Sequence, residues 1–192
     1  MAQRAASQVA RKRAKAPQAV YTLEVRLIGG PVTESFAQAN PTVSRTIQIA
    51  GNQTLEHLHQ VLYRALDREE EHLYEFQLGG KKPHDRHARS YGHPMSAREH
   101  NGEPGYAGSV RGARIDSLGL KTRSVFFYWF DFGDDWWHRI KVVRIEDTAP
   151  GVDLPRVIER VGESPPQYPF AYEDFEDDDE DEGLASEQGT KR

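Results

Sequence analysis

The chain has 192 residues and no cysteine, with 25 Lys and Arg against 30 Asp and Glu. That length suits one domain with charged ends, and the missing thiols exclude disulfides, thiolate metal centres and zinc fingers. No run approaches the roughly 18 apolar residues of a membrane span, and the first residues lack the apolar stretch of a signal peptide, so a cytoplasmic protein is expected.

The formal net charge of −5 conceals an asymmetry. Residues 1 to 19 hold Arg4, Arg11, Lys12, Arg13 and Lys15 and no acid. They carry too few apolar side chains to offset the entropy of ordering them, and read as a disordered basic arm. Arg11, Lys12, Arg13 and Lys15 make that arm a candidate contact for nucleic acid or an acidic partner; a solubilising tail accounts for them equally well. At the other end nine acids fall within residues 173 to 182, which makes 171 to 192 a self-repelling acidic tail. The domain lies between, over 20 to 170.

Residues 20 to 28, "VYTLEVRLI", alternate Tyr21, Leu23, Val25 and Leu27 with polar neighbours, the period of a half-buried strand. A Gly-Pro loop leads to a second strand over 43 to 50, antiparallel to the first. At 54 to 67 the period changes: Leu55, Leu58, Leu62, Ala65 and Leu66 recur every three or four residues, an amphipathic helix with Thr54 as its N-cap. In it His57 falls on the polar side and His59 beside the apolar stripe, a surface or boundary position. Residues 72 to 80 return to alternation. From 81 to 112 there is no period, many Gly, Pro, His and Arg, and the reading is a long polar loop. The strand at 124 to 132 is apolar on both faces and should lie centrally. Gly133, Asp134 and Asp135 then form the turn of a hairpin whose second strand runs over 136 to 147. A short helix is expected near 153 to 161.

The segments "YTLEVRLIG", "RTIQIAGNQTLEHLHQVLYRAL", "HLYEFQLGGKK", "FDFGDDWWHRIKV" and "PRVIERVGESPP", in that order, resemble the plasmid pRiA4b ORF-3-like family. The signature "DFGDDW.H" at 131 to 138 is the most specific part. The resemblance implies a bacterial α+β domain found on plasmids and transposable elements, with no established enzymatic activity. Two departures stand out: Ser164 occupies a position where the family frequently has cysteine, and the segment 81 to 112 is long.

The signature supplies the first candidate site. Asp131, Asp134, Asp135 and His138 have ligand chemistry for a divalent cation, although strand alternation sends neighbouring side chains to opposite faces. The competing reading is a hairpin with solvated acids and a His138 paired to a carboxylate. As a binding surface, the same stretch offers Asp131, Asp134, Asp135, Trp136, Trp137 and His138, with Trp136 or Trp137 as an exposed anchor. A second candidate is the loop carrying His84, His87, His93 and His100, which reads as a metal site, a phosphate contact through its arginines, or a mobile polar loop. Phosphate-loop, dinucleotide, nucleophile-elbow and zinc-protease motifs are absent.

The expectation is therefore an α+β domain: a mostly antiparallel sheet of about five strands, one long amphipathic helix packed on it, and disordered charged tails. The leading function is a non-enzymatic binding or regulatory module associated with plasmids or mobile elements, acting on a protein or nucleic-acid partner and needing no cofactor. The alternative is a metal-dependent hydrolase or nuclease using the cluster at 131 to 138.

Overall fold

The computed structural model describes residues 18–96, 102–148 and 152–169. Their elements in chain order are β1 (Gln18–Gly29), α1 (Glu34–Ala39), β2 (Ser44–Ala50), α2 (Leu55–Ala65), β3 (Tyr74–Leu78), β4 (Arg89–Gly92), β5 (Tyr106–Ser109), β6 (Val125–Phe130), β7 (Trp136–Thr148) and β8 (Arg156–Val161), with a 3-10 turn at Ile115–Ser117. All eight strands join one sheet in the order β5-β4-β3-β6-β7-β1-β2-β8. Only the β4–β5 pair is parallel. The basic residues Arg11, Lys12, Arg13 and Lys15 and the acidic tail lie outside the described residues, whereas Gln18 and Ala19, assigned above to the arm, open β1.

This architecture overturns the expected α+β domain with five strands and one long amphipathic helix. The five anticipated strands are joined by β4 and β5, from the segment read as a loop, and by β8, from the segment read as a helix. At four residues each, β4 and β5 are too short to show a period of two; β4 becomes a strand by pairing onto the edge of β3, and β5 by pairing onto β4. In β8 the spacing of Val157, Ile158 and Val161 imitates a helix because Ile158 is a bulge: Thr46 pairs with Glu159 and Ile47 with Val157, so one residue is extra. The helix is eleven residues long and stops where Asp67 takes a left-handed φ of 51°.

Thr54 caps α2 reciprocally with His57: its hydroxyl accepts from the His57 N–H while the His57 ring accepts from the Thr54 N–H. The buried face of α2 comprises Leu55, Leu58, His59, Val61, Leu62 and Ala65. His59 is therefore part of the core, not a boundary residue, because it stands one turn from both Leu55 and Leu62. Against this face pack Leu23 and Val25 of β1, Ile47 and Ile49 of β2, Phe76 of β3, Phe126, Tyr128 and Phe130 of β6, and Ile140 and Val142 of β7. β6 holds fourth place in the sheet, the central position that its two-sided apolarity requires.

The helix covers one face of the sheet. On the other, the register aligns Glu75, Trp129 and Trp137 in one row and Gln77, Phe127, Arg139 and Arg26 in the next. Among the described residues no helix is long and apolar enough to cross a membrane.

Candidate functional site

Strand alternation divides the hairpin of β6 and β7 between the two faces. Trp136, His138 and Ile140 pair with Phe130, Tyr128 and Phe126 on the helix side, while Trp137 and Arg139 pair with Trp129 and Phe127 on the outer side. The connecting turn needs left-handed backbone at Asp131 (φ 57°) and Asp135 (φ 56°), which aspartate tolerates better than most residues. Asp131 stabilises the turn by accepting the Gly133 N–H at 3.1 Å, and the Asp135 N–H donates to the Asp131 carbonyl at 2.8 Å.

On the helix side the signature is sealed. Trp136 and His138 are 0% exposed. The Arg68 guanidinium lies 3.7 Å from the Trp136 ring centroid, a cation–π stack, and Gly30 has φ +143° and no room for a Cβ beside the same ring. Among the described residues the three guanidinium nitrogens of Arg68, the Trp136 indole nitrogen and both ring nitrogens of His138 have no hydrogen-bond partner. Burial, and secondly the Arg68 charge, push the His138 imidazole down to about 3 against the nearby carbonyls of Tyr128 and Trp136, so the ring is neutral. Burial lowers Arg68 to about 10, opposed by Tyr128 and by the carboxylates of Asp131 and Asp134, which leaves it charged at neutral pH. Burial and then Asp131 raise Asp134.

A second polar group runs beside this one. Tyr128 and His59 Nδ1 are 2.8 Å apart, and His59 Nε2 is 3.2 Å from the Glu71 carboxylate. Burial and the neighbouring His93 hold His59 near 3, because Glu71 stands in water that screens its charge. The neutral ring thus donates from Nε2 to Glu71 and accepts at Nδ1 from the Tyr128 hydroxyl. Nearer the turn, His72 Nε2 lies 3.5 Å from Asp131 and 2.7 Å from the Tyr168 hydroxyl.

Arg68 stands in a charged run yet is buried. Five unsatisfied N–H donors in the interior oppose folding. Arg68→Met preserves the packing on Trp136 and removes the unpaired charge. Its stability is expected to stay within about 1 kcal/mol of the parent or to rise, read from urea unfolding midpoints. A loss beyond about 2 kcal/mol would overturn this and show that the Arg68 guanidinium is hydrogen-bonded in the folded protein.

The outer side of the hairpin is open. Trp129 stacks on Trp137 at 4.9 Å and 11°, contacts Phe132 at 4.1 Å, and donates its indole N–H to Asp135 at 2.8 Å. Exposed His84 meets both tryptophans edge-on. Between these rings and the β4–β5 edge is a recess of about 320 Å³ lined by Glu75, Ser90, Glu103, Tyr106, Trp129 and Phe132. A second recess of about 200 Å³ adjoins it, with Gln77, His84, Asp85 and Arg86 in its wall.

Several expectations change accordingly. Trp136 is not an exposed anchor, and Trp137 at 8% exposure is nearly closed off. His138 does not pair with a carboxylate. Asp131 and Asp134 act on the helix side near Arg68 whereas Asp135 serves Trp129 outside, so the proposed four ligands do not converge. Among the described residues no group of three His, Asp or Glu side chains is placed to hold a metal ion. The histidines of the long segment separate too: His84 joins the outer tryptophans, His93 packs on Tyr74, and His100 lies outside the described residues. Trp129 and Phe132 were hidden in an aromatic run that reads as core; the visible signal was the alternation that sets Trp129 opposite Trp137.

The model of the family described as plasmid pRiA4b ORF-3-like protein matches residues 33–180. The chain belongs to the plasmid pRiA4b ORF-3-like family. It is 31% identical over 139 residues to an uncharacterised protein, y4hQ, of Sinorhizobium fredii; the match covers 70% of this chain and 64% of that protein. Its fold is similar to the crystal structure of MM3350, a protein of unknown function from Methanosarcina mazei Go1, with a TM-score of 0.58 and 23% identity over 78% of this chain and 73% of the other.

In this pRiA4b ORF-3-like chain, Ser164 is structural. Its hydroxyl accepts from Arg45 Nη2 and donates to Asp67 Oδ2, each at 2.8 Å. The segment that follows docks on the turn after α2. The Gln167 side chain accepts from the N–H groups of Glu69 and Glu70 and donates to the Glu70 carbonyl.

Proposed function

We propose that this protein is a non-enzymatic binding module whose recognition surface is the recess on the outer face of the sheet, and that its partner is a protein segment. The observation that carries the reading is the partly exposed stack of Trp129 and Phe132 beside an open cavity, on the sheet face that the helix leaves uncovered. Aromatic side chains held by their neighbours and flanked by polar groups supply much binding energy at small entropic cost. Sealing of Trp136 and His138 supports the same reading, since a residue without exposed surface cannot meet a partner. The Glu75 carboxylate at the recess disfavours phosphate and so favours protein over nucleic acid.

Selection from a displayed random-peptide library tests this. Sequences enriched on the intact chain should be lost on Trp129→Ala, by about tenfold or more in affinity. No enrichment, or enrichment that survives the substitution, would remove the recess as the recognition surface.

A further inference from the structure

Resting on that reading, we infer that the recess receives a cationic side chain, a lysine ammonium or arginine guanidinium presented by the partner segment. The wall residues have the chemistry for it. Trp129, Phe132 and Tyr106 line one cavity, and Glu75, directly across the strand pair from Trp129, lines it with them; its Oε1 accepts from Gln77 Nε2, and its other oxygen makes no hydrogen bond among the described residues. Rings attract a cation through their quadrupole, and a carboxylate in the same partly desolvated space adds direct charge pairing. Ser90 adds a hydroxyl to the same wall. A cavity of about 320 Å³ holds one long side chain with its water rather than a large ligand. Just outside, the Asp135 carboxylate that accepts the Trp129 indole N–H extends the negative potential along the rings. The adjoining recess is mixed, with Asp85 beside Arg86, and does not reverse that sign.

The chain's own basic stretch does not serve as the occupant in cis. Gln18 pairs with Thr148, at the end of β7 remote from Trp137, the partner of Trp129. Eleven residues of strand separate Thr148 from Trp137, roughly 36 Å. Arg11 to Lys15 precede Gln18 by at most seven residues, a reach of about 25 Å. Arg11 to Lys15 therefore do not reach the recess within their own chain.

The test uses the intact chain, whose three tryptophans give three indole N–H signals in a nitrogen-15 correlation spectrum, with Trp129 assigned by its loss in Trp129→Phe. N-acetyl-arginine methylamide is titrated against its neutral isostere, N-acetyl-citrulline methylamide. The arginine compound is expected to shift the Trp129 signal saturably, the citrulline compound to bind about tenfold more weakly or not at all, and Glu75→Gln to weaken the arginine compound by a similar factor. Equal shifts from both compounds would overturn the cationic assignment while leaving the recess as a docking site. No shift from either would overturn it as well, and the peptide selection then decides the wider reading separately. A shift from a short oligothymidylate but not from the arginine compound would overturn it in favour of nucleic acid.

Discussion

Arg45→Met is expected to lower stability by about 3–5 kcal/mol, the largest effect foreseen for a single side chain here. Arg45 is fully enclosed by the protein yet satisfied on every nitrogen. Its Nε donates to the Ala65 carbonyl at 2.7 Å, an end group of α2 that has no partner within the helix. Nη1 reaches the carbonyls of Ser44, Val161 and Gly162 between 2.8 and 3.1 Å, and Nη2 reaches Ser164. One guanidinium thus joins the end of α2, the end of β8 and the segment carrying Ser164. Methionine fills most of the volume but leaves several buried carbonyls without donors, and each such group costs about 1–3 kcal/mol. Arg160 shares the Ala65 carbonyl, so that acceptor is not wholly lost. Arg45→Lys should recover only part of the deficit, because an ammonium cannot span acceptors spread around a planar fork. Urea unfolding of the two variants checks both statements; a methionine variant within about 1 kcal/mol of the parent would show that the network contributes little.

The second large effect is acid sensitivity. His59 and His138 each sit near 3 in the folded chain against an ordinary value of 6.5. Between those values the unfolded chain takes up protons that the folded chain refuses, so stability is complete above about pH 6.5 and falls as the pH drops toward 3. At pH 5 each histidine removes about 2 kcal/mol, hence about 4 kcal/mol for the pair. Few ordinary carboxylates titrate above pH 5, so the interval from 7 to 5 isolates the histidines. Unfolding midpoints measured across it should decline steadily. His138→Leu, which keeps an apolar side chain of similar bulk in that pocket, should halve the slope. A flat profile in the parent would mean that water or a bound anion already accommodates a protonated His138.

Ser164 connects the first prediction to the family pattern. A cysteine there invites a reading in terms of thiolate chemistry, but the geometry gives the position to a small hydrogen-bonding side chain between Arg45 and Asp67. A serine fills that role without a redox-active group.

Local pattern was sufficient wherever a stretch obeyed one period and met its neighbours without irregularity. Tyr21 to Leu27 alternate cleanly and form β1; Ile47 and Ile49 alternate and form β2 against it; the leucines after Thr54 form α2; and Gly133 to Asp135 make the turn between β6 and β7. Five segments in order, the signature at 131 to 138 among them, likewise pointed to the family from residues alone. What failed did so for reasons that reside outside any window. The bulge at Ile158 disguised β8 as a helix, and the four-residue strands exist because each finds unpaired backbone at the sheet edge, β4 on β3 and β5 on β4. A charged run concealed a buried Arg68 because nothing local shows that Trp136 will lie beneath it. The hairpin's two sides, one closed over His138 and one open at Trp129, follow from which face α2 covers, and that is settled only when helix and sheet pack.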